Sequence, residues 1–130
     1  MKTAREIMST AVISVTPEVP IDEAMAILIE NRISGLPVVD HEGRLVGILS
    51  EVDRLRMLRN PASIRFTQVA DIMSRNVISV HADLPLSSVA DLLLGGAMRR
   101  LPVMDDGGLV GIISRCDLVR ALYGDSALAG

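Results

Sequence analysis

"LVGILSEVD" runs from Leu45 to Asp53, and "LVGIISRCD" runs from Leu109 to Asp117, nearly the same nine residues 64 positions apart. The likeness extends in both directions. Upstream, "EIMSTAVISVTPEVPIDEAMAIL" from Glu6 aligns with "DIMSRNVISVHADLPLSSVADLL" from Asp71 at an offset of 65. "GLPVVDHEGRLVGILSEVD" then aligns with "RLPVMDDGGLVGIISRCD", whose turn is one residue shorter. Downstream, "RLRML" (54–58) faces "LVRAL" (118–122). Self-similarity at a fixed period marks a structural repeat. The expected division is repeat 1 over 1–58, a linker over 59–67, repeat 2 over 68–123 and a short tail over 124–130.

Each repeat reads as strand–helix–strand–strand–helix. "VISV" (Val12–Val15 and Val77–Val80) is short and β-branched, which predicts a strand. Pro17 and Pro85 lead into helices expected at about 20–32 and 85–97. Ile21, Ala24, Ile27 and Leu28 form one apolar helical face in the first, and Leu86, Val89, Leu92 and Leu93 in the second. An apolar strand, "LPVV" or "LPVM", precedes a turn rich in the Asp and Gly that accept positive φ. A third strand closes the hairpin, and a last helix starts at Ser50 or Ser114. One such unit is marginally stable alone. The fold class is therefore α+β, two pseudo-twofold β-α-β-β-α repeats packed sheet to sheet.

Composition bounds the rest. The 130 residues include 49% hydrophobics and two aromatics, Phe66 and Tyr123, so the core must be aliphatic. A mean hydropathy of +0.41 hints at more apolar surface than one copy hides, hence at self-association. A net charge of −3 gives no overall pull toward nucleic acid or anionic membrane. Five arginines against Asp71 between Arg54 and Arg75 make a local basic run, read as a solvated face because no aromatic stacking platform lies nearby. The lone Cys116 allows no internal disulfide and reads as a small buried apolar residue. "MKTAREIMST" lacks the apolar core of a signal peptide, and no run reaches the length of a membrane span, so a cytoplasmic protein is expected. His41 and His81 stand at no familiar metal-ligand spacing, and no nucleotide-binding glycine loop or nucleophile–base pair is present, so neither metal nor catalysis is expected.

The "DIM(S/T)" entry, the "VISV-x-P" strand, "LPVVD-x-x-G" and "LVGI-(L/I)-S-x-x-D", in order and twice, resemble the cystathionine-β-synthase (CBS) domain. The tandem resembles a Bateman module over residues 4–122. The resemblance implies a regulatory sensor of adenosine-containing ligands, commonly a homodimer and often attached to an enzyme, channel or transporter. It implies ligand contacts in an inter-repeat cleft from Ser50 and Asp53, and from Ser114 and Asp117, with ribose and phosphate. Adenine would lie on Val77, Ile78, Met98 and Pro102 at the Asp53 site, and on Val12, Ile13, Ile33 and Pro37 at the Asp117 site. Ser9 and Ser74 would keep a hydroxyl near each ligand.

Two readings of Ser-x-x-Asp stay open. It has the spacing of a helix N-cap with an acid at N3, and a carboxylate beside a helix N-terminus also suits ribose hydroxyls and phosphate. Arg99 and Arg100 precede "LPV" only in repeat 2 and favour a phosphorylated ligand (AMP, ADP or ATP) over the positively charged S-adenosylmethionine. They make the Asp53 site the stronger of the two. The expected function is nucleotide sensing for an unidentified client protein, with no cofactor beyond the regulatory ligand. The competing reading is a protein-interaction scaffold with an empty cleft.

Overall fold

The computed structural model describes residues 2–33, 35–50, 52–53, 55, 59, 67–95 and 99–124. The chain divides into two compact units whose bounds cross those of the repeats: one is Ile13–Val77, and the other combines Met1–Val12 with Ile78–Gly130.

In the continuous unit, helix α2 (Ile21–Asn31) follows Pro20, with Asp22 and Glu23 in its first turn, where acids suit the helix dipole. It ends on Arg32 in the left-handed region (φ 53°), and the Ile33 N–H reaches back to the Leu28 carbonyl at 3.1 Å, a Schellman-type closure. Strands β1 (Gly35–Val39) and β2 (Leu45–Ser50) form an antiparallel hairpin with a bulge at Val38/Val39. Its turn is held by Asp40, whose Oδ1 accepts the Glu42 and Arg44 N–H groups at 2.9 Å, and Gly43 takes φ 83°. Val15 pairs in parallel with Val38 on one side of the hairpin. On the other side Ser74 pairs with Ile48, just after the short helix α3 (Val69–Ile72). Ile21, Ala24, Leu28, Leu36, Val38, Leu49, Val69 and Met73 are among the residues of its core.

The second unit repeats this plan. Strand β3 (Val80–His81) runs parallel to β4 (Arg100–Asp105), which pairs antiparallel with β5 (Gly108–Ser114). Helix α4 (Leu86–Leu94) precedes the sheet and α5 (Arg115–Tyr123) follows it. The shorter turn places Asp106 and Gly107 at φ 50° and 78°, the two positive values a two-residue hairpin loop needs. The sheet is flanked by Ser9, which pairs with Ile112 after helix α1 (Ala4–Ile7). The core includes Ala4, Val80, Val89, Leu93, Leu101, Val103, Ile113 and Leu118.

The leading segment of each repeat thus completes the sheet of the other. Glycine in "LVGI" makes this possible: a Cβ on Gly47 would lie 2.5 Å from the Met73 Sδ and 3.0 Å from the Ser74 carbonyl oxygen. On Gly111 it would clash with the Met8 Sδ and lie 3.0 Å from the Ser9 carbonyl oxygen. "IMS" and "LVGI" recur together because one lies across the other.

The same exchange corrects the strand expectation. Of Val12–Val15 only Val15 is bridged, and of Val77–Val80 only Val80 is in a strand, which runs on to His81. Ser9 is bonded to one unit and Val15 to the other, so the residues between them carry the chain across and have no ladder to join. The helices are also shorter than expected, and their faces shift: Met25 is buried while Ile27 is only partly so, and Leu92 is 39% exposed. Most of the expected linker, 60–66, lies outside the described residues.

Candidate functional site

The two Ser-x-x-Asp motifs sit where the last strand of each hairpin gives way to a helix. Ser114 ends β5 in an extended conformation and caps α5. The Asp117 N–H donates to Ser114 Oγ at 3.3 Å, and Asp117 Oδ2 accepts from the Ser114 N–H at 2.8 Å and from its hydroxyl at 3.1 Å. Ser50 shares the carboxylate half of the arrangement: Asp53 Oδ2 accepts its N–H at 2.8 Å and its hydroxyl at 3.2 Å, and Val52, Asp53 and Leu55 are helical. The capping reading of the motif is therefore met in full at Ser114 and in its carboxylate half at Ser50. Local sequence is enough to produce it, because the bonds close within three residues.

The two carboxylates differ in surroundings. Asp53 is 4% exposed and is the one buried charged residue among those described. Burying a carboxylate is costly unless it is hydrogen-bonded, and the two Ser50 donors offset part of that cost. Asp117 is more open, with a side chain 17% exposed and the Arg120 guanidinium 3.6 Å from Oδ1.

Each motif also has a hydroxyl-bearing residue from the exchanged segment beside its strand. Ser74 and Ile48 exchange backbone hydrogen bonds of 2.9 Å each, two residues before Ser50. Ser9 and Ile112 do the same at 2.9 and 3.0 Å, two residues before Ser114. The Asp53 unit thereby contains Ser50, Ser74, Val77, Ile13, Ile33 and Pro37, and the Asp117 unit contains Ser114, Ser9, Val12, Ile78, Arg99, Arg100 and Pro102. Met98 lies outside the described residues.

Within these groups the side chains divide by exposure. Pro37 and Pro102 are buried in their strands opposite Ile48 and Ile112. Ile13 and Ile78 are 37% and 48% exposed, apolar surface on a segment with no strand partner. Val12, Val77 and Ile33 are half-buried. Arg99 is exposed, and Arg100 is half-buried at the start of β4, opposite Ser114, where repeat 1 has Gly35 opposite Ser50.

Cys116 overturns its expected burial. It is exposed in the first turn of α5, because that helix turns Leu118 inward instead. Among the described residues no group of three or more His, Cys, Asp or Glu is placed to hold a metal ion, and no helix is long and apolar enough to cross a membrane. Sequence reasoning missed the exchange of leading segments and a charge cluster around Arg5. The position of "DIMS" on the far side of "VISV" from its own hairpin was the available signal for the first.

Comparison with known proteins agrees with this architecture. The CBS domain family model matches residues 4–60 and 69–124. The chain is 35% identical over 135 residues to the CBS domain-containing protein CBSX1, chloroplastic, of Arabidopsis thaliana, covering 82% of this chain and 57% of that protein. Two other curated relatives, from Methanocaldococcus jannaschii, are spanned over 44% and 23% of their lengths, so the chain covers little more than half, or less, of these relatives. The crystal structure of CBSX2 in complex with AMP superposes with a TM-score of 0.83 at 35% identity, covering 94% of this chain and 96% of that one. The CBS domain pair of protein MJ0100, in complex with 5-methylthioadenosine and S-adenosyl-L-methionine, gives 0.81 at 34% identity over 95% and 98%. With both repeats matched and the whole pair superposed, the chain belongs to the CBS-domain family as a tandem CBS pair.

Proposed function

We propose that this CBS pair is a regulatory module that binds an adenine nucleotide, AMP, ADP or ATP, and reports it to a client protein without chemistry of its own. The observation that carries the reading is the duplicated carboxylate, Asp53 and Asp117, fixed at a strand-to-helix junction with a serine of the exchanged segment on the neighbouring strand. An aspartate held in place by its own serine is preorganised to accept ribose hydroxyls, so little ordering cost falls on binding. The exposed Ile13 and Ile78 offer apolar surface for a base. The likeness to AMP-bound CBSX2 supports the same ligand class.

Arg99 and Arg100 add two positive charges suited to phosphate and unsuited to a sulfonium, so the nucleotide is favoured over S-adenosylmethionine. In this proposal they serve the Asp53 site, which binds more tightly than the Asp117 site. The protein acts as a cytoplasmic homodimer, and ligand shifts the population of module conformations that the client reads.

Isothermal titration of nucleotide-free protein with AMP, ADP, ATP and S-adenosylmethionine tests this. Saturable nucleotide binding is expected, lost in Asp53→Ala and weakened in Arg99→Ala/Arg100→Ala. A preference for S-adenosylmethionine would overturn the use made of the arginines. A second reading rests on the capping bonds themselves: the motifs only close helices, and the chain is an interaction scaffold. In that case no nucleotide binds at millimolar concentration, and Asp53→Ala shows only a loss of stability, about 1 kcal/mol or somewhat more for a lost cap.

A further inference from the structure

The leading segments of the two repeats dock by the same backbone bonds. In one unit the Ala4 and Arg5 N–H groups donate to the Leu84 and Ala82 carbonyls at 2.9 and 2.8 Å, and the Leu86 N–H donates to the Lys2 carbonyl at 2.9 Å. In the other, Val69 and Ala70 donate to Val19 and Pro17, and Ile21 donates to Thr67, all at 2.9 Å. The side chains differ. Arg5 Nη2 lies 2.6 Å from Asp105 Oδ2 and 3.4 Å from Asp83 Oδ1. His81 stands between the same two carboxylates, its Nε2 3.5 Å from Asp105 Oδ1 and its Nδ1 3.7 Å from Asp83 Oδ2, while Nδ1 accepts the Asp83 N–H at 3.0 Å. The residue equivalent to Arg5 in the other segment is Ala70, which has no charge to offer.

We propose that Arg5 is an electrostatic latch that sets how firmly the exchanged segment Thr3–Ser9 is seated on the second repeat, and with it how firmly Ser9 is held against β5. Three features support this. Arg5 is four residues from Ser9, joined to it by the single turn of α1, so restraint at one end is transmitted to the other. Asp83 follows β3 and Asp105 ends β4, so one guanidinium ties the segment to two points of the sheet. Asp105 is 24% exposed, which screens its pair with Arg5 less than a fully exposed one. Because the contact is a side-chain one, charge-assisted hydrogen bonds added on a backbone arrangement that Ala70 shows to be sufficient for docking, it adjusts seating without deciding the fold. The inference stands apart from nucleotide binding and does not require it.

Amide hydrogen exchange on the full chain tests it, with the other unit as internal control. In Arg5→Ala the protection of the Ser9 and Ile112 amides should fall roughly fivefold, the scale of one favourable surface pair. The Ser74 and Ile48 amides and the amides of the β4–β5 hairpin other than Ile112 should keep theirs. Asp105→Asn should produce the same selective loss in smaller measure, since Asp83 remains, and the double variant should lose no more than Arg5→Ala alone. High salt should lower Ser9 protection in the natural protein but not in Arg5→Ala. Unchanged protection at Ser9 and Ile112, or a loss shared equally with the rest of the hairpin or with Ser74 and Ile48, would overturn the latch.

Discussion

The unit Ile13–Val77 and the unit formed by Met1–Val12 with Ile78–Gly130 are two solutions to one structural problem, written with the same short motifs. Both pair a hairpin with a parallel bridge at an equivalent valine, Val15 to Val38 and Val80 to Val103. Both admit a foreign serine beside a glycine, and both end on a serine capped by an aspartate. They diverge at the turn, at the helix C-terminus, at the docked leading segment and in the burial of the capping aspartate. What is shared is what a β-α-β-β-α unit needs in order to exist. What differs is polar and peripheral, where substitutions change the fold least and can set the two sites apart.

The largest expected effects test the shared part. Leu49 and Ile113 are equivalent, fully buried and central to their cores. Leu49→Ala and Ile113→Ala should each cost about 2–5 kcal/mol, read by urea denaturation. Nearly equal losses would uphold the equivalence of the cores, and a loss in only one would show that the other can collapse around the gap.

Next in size, Gly47→Ala and Gly111→Ala place a methyl against a methionine sulfur that can move and a serine carbonyl that cannot easily do so. Each should cost about 1–3 kcal/mol as overpacking. If either were neutral, close approach of the exchanged segment would not be what that glycine provides.

Arg32→Gly sharpens a difference instead. Arg32 holds a left-handed conformation that glycine adopts freely, whereas α4 ends on Gly95 in the right-handed region. The replacement should stabilise the continuous unit by up to about 1 kcal/mol, visible as a higher urea midpoint.

The finest comparison is between two equivalent carboxylates, Asp40 and Asp105. Both are held below the usual carboxylate range, Asp40 chiefly by the Arg44 backbone N–H and Asp105 chiefly by the Arg5 side chain. A lowered folded value means stability that is present above the unfolded value and lost as pH falls through the folded one, here below the ordinary 3.8. Titration followed by NMR should show Asp105 rising toward its ordinary value in Arg5→Ala. Asp40 should stay low in Arg44→Ala, because its main donor is the backbone. A full rise of Asp40 would show that the two carboxylates are held in the same way.

Much of the fold could be read from the chain because its bonds are short in sequence. The Ser-x-x-Asp caps close over three residues, the hairpins over one turn, and the apolar faces of α2 and α4 follow helical periodicity with shifts at Ile27 and Leu92. The candidate site was legible in its aspartates and serines for the same reason. Cys116 was misread because a single residue in a first turn has no periodicity of its own, and its exposure depends on which face Leu118 turns inward.

The duplication, the α+β alternation, the family and the aspartates that bond their own serines could all be read from the residues, because each rests on local spacing or on repetition. Long-range packing was needed to reveal that each leading segment completes the opposite repeat's sheet, that the "VISV" runs are crossings with one bridged end, and that Arg5 meets Asp83 and Asp105. Two similar repeats offer each segment two similar hairpins to join. Local propensity is the same for both, and only packing of the whole chain can break that tie.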